Sequence, residues 1–84
     1  YPNPFNPITN IKFEIAISEL IMLKVFDLNG KLVRTLNNTK LDIGKYVIEW
    51  DAKDDFGYEI SSGMYFIHFA STSFSDTKKV LFIK

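Results

Sequence analysis

Hydrophobic residues recur along this chain in two-residue steps. Ile11, Phe13, Ile15 and Ile17 share one phase while Lys12 and Glu14 hold the other, the period of a strand with one face buried and one wet. The same period returns at 20–27, where Ile21, Leu23 and Val25 form the inward set and Lys24 marks the opposite face. It returns at 31–36 with Val33 inward, at 44–50 with Tyr46, Ile48 and Trp50 on one face, and at 64–71. In that last segment Tyr65, Ile67 and Phe69 oppose Met64, Phe66 and His68. Residues 58–60 read as a short edge strand and 78–84 as the final strand. The phase of the final strand is open, because Val80 and Phe82 oppose Leu81 and Ile83. No stretch sustains a 3.6-residue period over three turns.

Turn residues separate these runs. Asp27-Leu28-Asn29-Gly30 is a tight turn in which Gly30 supplies positive φ. Asn37-Asn38-Thr39-Lys40 reads as a polar loop, 51–57 as a second loop, Ser61-Ser62-Gly63 as a turn and 71–77 as a Ser/Thr-rich turn. Seven short strands at this spacing predict an all-β fold, a seven-stranded antiparallel immunoglobulin-like β-sandwich. Trp50 is its expected centrepiece, without the disulfide that flanks the tryptophan of antibody domains.

The first seven residues, Tyr1-Pro2-Asn3-Pro4-Phe5-Asn6-Pro7, break the pattern. Prolines fix φ and remove backbone donors, so residues 1–7 are expected to be a proline-rich lead-in and 8–84 the folded domain. With no initiator Met, the chain reads as a module excised from a longer protein.

The 84 residues suffice for one core, and a chain this size buries roughly 60–65% of its unfolded surface. Ten basic and ten acidic residues give zero formal charge, without the basic footprint of a nucleic-acid binder. There is no cysteine, hence no disulfide and no thiolate metal site. The longest apolar runs, 20–23 and 80–83, are far shorter than a membrane span, so no membrane insertion is expected.

Candidate chemistry is sparse. The single histidine, His68, falls on the outward face beside Met64 and Phe66, with only scattered Ser and Thr as nucleophiles, so no catalytic constellation is expected. Asp51, Asp54 and Asp55, with Glu59, could supply oxygens to calcium, but the spacing is not that of an EF-hand and Lys53 sits among them. The competing reading is turn chemistry, with each Asp bonding nearby amides. No other metal or cofactor is expected. Surplus aromatics (Tyr1, Phe5, Phe26, Phe56, Tyr58, Phe66, Phe74) leave open a sugar-stacking face or packing against a neighbouring domain. Asn37-Asn38-Thr39 fits a glycosylation sequon. Lys78, Lys79 and Lys84 lie on the terminal strand, where lysines either guard an open edge or offer it to a receptor by strand addition.

Read in order, Tyr1-Pro2-Asn3-Pro4-Phe5-Asn6-Pro7, Thr9-Asn10-Ile11-Lys12-Phe13, Val25-Phe26-Asp27-Leu28-Asn29-Gly30, Gly44-Lys45-Tyr46, Trp50-Asp51, Asp54-Asp55-Phe56-Gly57, Ser62-Gly63-Met64-Tyr65-Phe66 and Thr77-Lys78-Lys79-Val80 run the length of the chain. This order resembles the C-terminal sorting domain, type A, of type IX secretion cargo in Bacteroidetes and related bacteria. From Trp50 to Tyr65 it is also similar to the immunoglobulin-like domain of flagellar hook-capping proteins. Lys45 stands where a His is common, and Met64 where Val is. The resemblance implies a non-catalytic module at the end of a secreted enzyme or adhesin. It implies folding in the periplasm, reading by the type IX outer-membrane translocon, a sortase-like peptidase as a further partner, and a final location on the cell surface or outside the cell. It places recognition on Gly63 and Tyr65 of a Gly-x-Tyr element and on Lys79 and Lys84 of the last strand. Two alternatives stand beside it: an accessory carbohydrate-binding or spacer domain on an extracellular enzyme or adhesin, and a structural unit of a filament or hook assembly.

Overall fold

The structure, a computed structural model, describes residues 8–83. Six strands carry its regular structure: β1 (Thr9–Ile15), β2 (Glu19–Asp27), β3 (Leu32–Leu41), β4 (Gly44–Trp50), β5 (Gly63–Ala70) and β6 (Ser75–Phe82). β1 and β4 make a two-stranded sheet, while β3-β2-β5-β6 make a four-stranded one. Every pairing is antiparallel. Among the described residues no helix is long and apolar enough to cross a membrane.

The expected phases hold where alternation is two-sided. Ile21, Leu23 and Val25 of β2 are buried, Tyr65 and Ile67 of β5 are buried, and Trp50 closes β4 in the core. The phase left open in the last strand is set by register. Val80 stands opposite Tyr65, opposed residues share a face, and Phe82 is buried with the core cluster. That cluster takes side chains from both sheets. Across it the Phe13 and Phe69 rings lie 5.2 Å apart and the Trp50 and Tyr65 rings meet edge-on at 6.0 Å.

Seven strands become six. Residues 58–60 form no strand, and an isolated bridge between Lys53 and Glu59 stands in their place. The cause is Asp54: its N–H donates to the Tyr58 carbonyl (2.8 Å), and its carboxylate accepts the Phe56 and Tyr58 amides (both 2.9 Å). This curls the segment into a turn. Two expected loops are strand instead. Asn37, Asn38, Thr39 and Lys40 continue β3 opposite Leu23, Met22, Ile21 and Leu20 of β2 with a bulge at Leu23/Lys24, and Ser75, Asp76 and Thr77 open β6. Both stretches belong to the outer strands of their sheet, where a wet face accepts polar side chains and the ladder needs only backbone. The lead-in, residues 1–7, lies outside the described residues.

Both ends of the described chain emerge at one pole. Thr9 pairs with Trp50, and Phe82 pairs with Gly63, beside the β2–β3 turn and the loop from Asp51 to Ile60. In that turn the Asp27 carboxylate accepts the Asn29 and Lys31 amides (2.9 Å each), and Gly30 takes φ 83°.

Trp50 is 1% exposed and its indole N–H donates to the Lys53 carbonyl at 3.0 Å. Trp50→Ala empties the meeting point of the two sheets and removes one of the two donors to that carbonyl. It is expected to cost about 3–5 kcal/mol, a large part of a small domain's stability, read from the shift in urea midpoint.

Candidate functional site

Of the residues the resemblance assigns to recognition, Gly63, Tyr65 and Lys79 sit on β5 and β6. Gly63 opens β5 and Tyr65 follows two positions later with its ring buried. The Tyr65 phenol donates to the Ser61 carbonyl, four residues back, at 2.7 Å. β4 opens the same way: Gly44, then Tyr46, whose phenol donates to the Asp42 carbonyl at 2.7 Å. Both glycines hold positive φ (156° and 158°), which L side chains rarely adopt, and a Cβ would meet the tyrosine ring at 3.8 or 4.0 Å, ordinary contact. Backbone conformation, not space, is therefore what calls for glycine. Gly-x-Tyr is thus a twice-used strand-entry clamp, akin to the tyrosine corner of β-sandwiches. The spacing was visible in the sequence at both places; the carbonyl each phenol reaches was not.

Lys79 is exposed on the outer face of β6, opposite Phe66, which stands opposite Phe26. The row Phe26–Phe66–Lys79 crosses three strands. The neighbouring row is Lys24–His68–Thr77, and His68 Nδ1 lies 2.6 Å from the Thr77 hydroxyl. His68 therefore lies on the outward face, as expected, with a threonine for partner. Lys84 lies outside the described residues.

The acidic loop is tied to its own framework. Asp51 Oδ1 pairs with the Arg34 guanidinium at 2.9 Å and accepts the Lys53 amide at 3.2 Å. Arg34 also donates to the Lys53 carbonyl at 3.0 Å, the same oxygen that takes the Trp50 indole. Asp54 caps its own turn, and Asp55 accepts the Thr35 amide at 2.9 Å while its N–H donates to the Val33 carbonyl at 2.9 Å. Asp51, Asp54 and Asp55 thus serve three separate sets of donors. Among the described residues no three His, Cys, Asp or Glu side chains gather to hold a metal, and these three carboxylates make the bonds that turn chemistry calls for.

The surplus aromatics scatter. Phe26 and Phe66 lie on the outer face of the large sheet, while Phe56 and Tyr58 (85% and 72% exposed) crown the loop at the pole of the termini. Phe74 lies at the opposite pole against Phe69. Among the described residues they form no common stacking platform; Tyr1 and Phe5 lie outside those residues. At the sequon, the Asn37 side-chain amide donates to the Ile21 carbonyl at 2.9 Å, so its nitrogen is already engaged in the sheet.

Two outcomes follow. Tyr65→Phe removes one phenol bond without changing shape and is expected to cost about 0.5–1.5 kcal/mol, read in the same urea titration. Burial pushes the Asp51 carboxyl upward, but the Arg34 hydrogen bond and charge, with the Lys53 and Asp51 amides, outweigh it and hold the group below its ordinary value of 3.8. A depressed folded pKa stabilises above the unfolded value and loses its effect as pH falls through the folded one. The stability gap between wild type and Asp51→Asn should therefore be full at about pH 6 and close towards about pH 2, followed by urea midpoints across that range.

Comparison with known proteins agrees with this geometry. No curated protein matches the sequence. Among solved structures, FlgD from P. aeruginosa superimposes with a TM-score of 0.67 at 20% identity, over 87% of this chain. That likeness is one of fold, and it accords with the partial resemblance to flagellar hook-capping proteins. The chain spans only 56% of that structure's length. The family described as the secretion system C-terminal sorting domain matches residues 1–84, the whole sequence. The chain belongs to that family, the sorting domains of type IX secretion.

Proposed function

We propose that the domain works without catalysis, as a folded immunoglobulin-like address that the type IX outer-membrane translocon reads while an upstream cargo of the same polypeptide follows. In this reading residues 1–7 join cargo to address. The domain folds in the periplasm, a sortase-like peptidase acts on it afterwards, and the cargo ends on the cell surface or in the medium. The observation that carries the reading is the whole-chain family match. The reading is supported by the engagement of His68 with Thr77, of Asp51 with Arg34, of Asp54 with its own turn and of Asp55 with Thr35.

Within the address, Gly63 and Tyr65 act from inside by holding the start of β5, against which the end of β6 is registered. Lys79 acts from outside, as an exposed cation on an outer strand, and Lys84 is a second cation five residues on in the sequence. Deleting residues 79–84 is a poor test, because Val80 and Phe82 belong to the core. Charge reversal at Lys79 leaves the core intact.

Fused behind a periplasmic reporter in a type IX-competent host, residues 1–84 should carry the reporter to the surface or medium. Lys79→Glu should lower export severalfold with an unchanged urea midpoint. Retention of the wild-type fusion equal to that of the unfused reporter would sink the reading.

A further inference from the structure

We propose that the outer face of the four-stranded sheet docks an acidic protein surface, one whose carboxylates surround apolar side chains. Strand register lays this face out as a grid. Thr35–Lys24–His68–Thr77 crosses β3, β2, β5 and β6 in one row, and Leu32–Phe26–Phe66–Lys79 crosses them in the next. Met22 opposite Ala70 belongs to the row on one side, and Met64 opposite Leu81 to the row on the other. The small sheet packs against the inner side, through Phe13 on Phe69 and Trp50 on Tyr65, and so leaves this grid uncovered.

Composition sets this face apart from a solvated one. An antiparallel sheet turns polar side chains to water on its wet side. The small sheet does so: of its outward residues Asn10, Lys12, Glu14, Lys45, Val47 and Glu49, only Val47 is apolar, and Glu14 stands opposite Lys45. The large sheet does not. Met22, Phe26, Met64 and Phe66 hold outward positions on its two central strands, and Leu32 and Leu81 flank them, both exposed. Both methionines of the chain lie here. Aromatic residues and methionine are what protein interfaces gather at their centres.

Charge names the partner. Lys24, Lys40 and Lys79 take outward positions, Lys40 opposite Leu20 in the row beyond Met22. No outward position of β3, β2, β5 or β6 holds a carboxylate. The acids of these strands, Glu19, Asp27 and Asp76, are on the inward phase, opposite Leu41, Tyr65 and Phe69. None of the three lysines makes a salt bridge with a described residue. The chain as a whole is neutral, so the excess is local to this face, and a partner covering the apolar rows must neutralise it. A second copy laid face to face would set lysines against lysines. Recognition of anionic lipid uses clusters of about four to eight basic residues, more than this face offers, and Phe26 and Phe66 are half-buried in the sheet, out of reach of a bilayer interior. The biological use of the face rests on the sorting role: the acidic surface belongs to the machinery that reads the domain.

The 84-residue chain is titrated with a capped helical peptide that carries leucine on one face and glutamate around it, and methyl NMR follows Met22 and Met64. Both methyl signals should move while the Trp50 indole signal stays. A peptide with lysine in place of glutamate should bind at least about tenfold more weakly. Lys24→Glu should weaken the acidic peptide severalfold and Lys24→Arg should not. Lys12→Glu, the same change of charge on the outer face of the small sheet, should bind as wild type does. Lys40→Glu, at an exposed position, repeats the test if Lys24→Glu lowers the urea midpoint. The proposal is overturned if millimolar acidic peptide moves neither methionine signal, if the lysine peptide binds equally well, or if Lys12→Glu weakens binding as much as Lys24→Glu. It is also overturned if phosphatidylglycerol vesicles engage the face and the peptide does not, or if sedimentation shows the chain self-associating through it. Export of the Lys24→Glu fusion separates the two readings. Normal export by a wild-type domain that binds no acidic peptide overturns the docking face and leaves the sorting role standing. Peptide binding with export untouched by Lys24→Glu upholds the face and removes its part in sorting.

Discussion

Two strands cannot cover four, and this mismatch governs how the domain buries its surface. Only the strip beneath both sheets is dry. There Leu23 and Val25 of β2 are fully enclosed and Tyr65 and Ile67 of β5 nearly so, while β3 and β6 on the flanks keep wet faces. With so narrow a strip, the volume of each central residue counts for more than it would in a wide core. Trp50 is the largest of them, and it joins the two sheets through Tyr65 and ties the following loop through Lys53.

The Lys53 carbonyl links that core to the surface electrostatics. It accepts from the Trp50 indole inside and from Arg34 of β3 outside, while Arg34 holds Asp51. One carbonyl and one carboxylate thus fasten the long β4–β5 connection to the edge of the large sheet. The same loop carries Ala52 at φ 60°, an uncommon conformation for a residue with a side chain. Ala52 is buried, and its carbonyl accepts the Ile60 amide at 3.1 Å. A connection held at so many points is a fixed part of the scaffold, which fits a domain that works by being recognised.

Much of this was legible in the residues. The phases of β1, β2, β4 and β5 follow from alternation because each has one dry and one wet side. Alternation is silent about strands that are polar on an outer edge, and therefore Asn38, Thr39 and Asp76 looked like loop. It misled at residues 58–60, where an apolar pair suggested pairing that the Asp54 carboxylate had already pre-empted with a turn. The Gly-x-Tyr spacing was readable as a motif, whereas its meaning as a clamp needed the position of the carbonyl four residues back.

The topology also bears on the order in which the chain can assemble. β2–β3 and β5–β6 are neighbours in sequence and can close as hairpins on a microsecond scale. The small sheet instead joins Thr9 to Trp50 across all of β2 and β3, a long-range closure of the kind that slows folding. A chain that appears from its N-terminus thus cannot complete the small sheet until β4 has followed, even though β1 appeared well before. Trp50, the last residue of β4, then stays uncovered until β5 brings Tyr65 against it, an interval built into the connectivity.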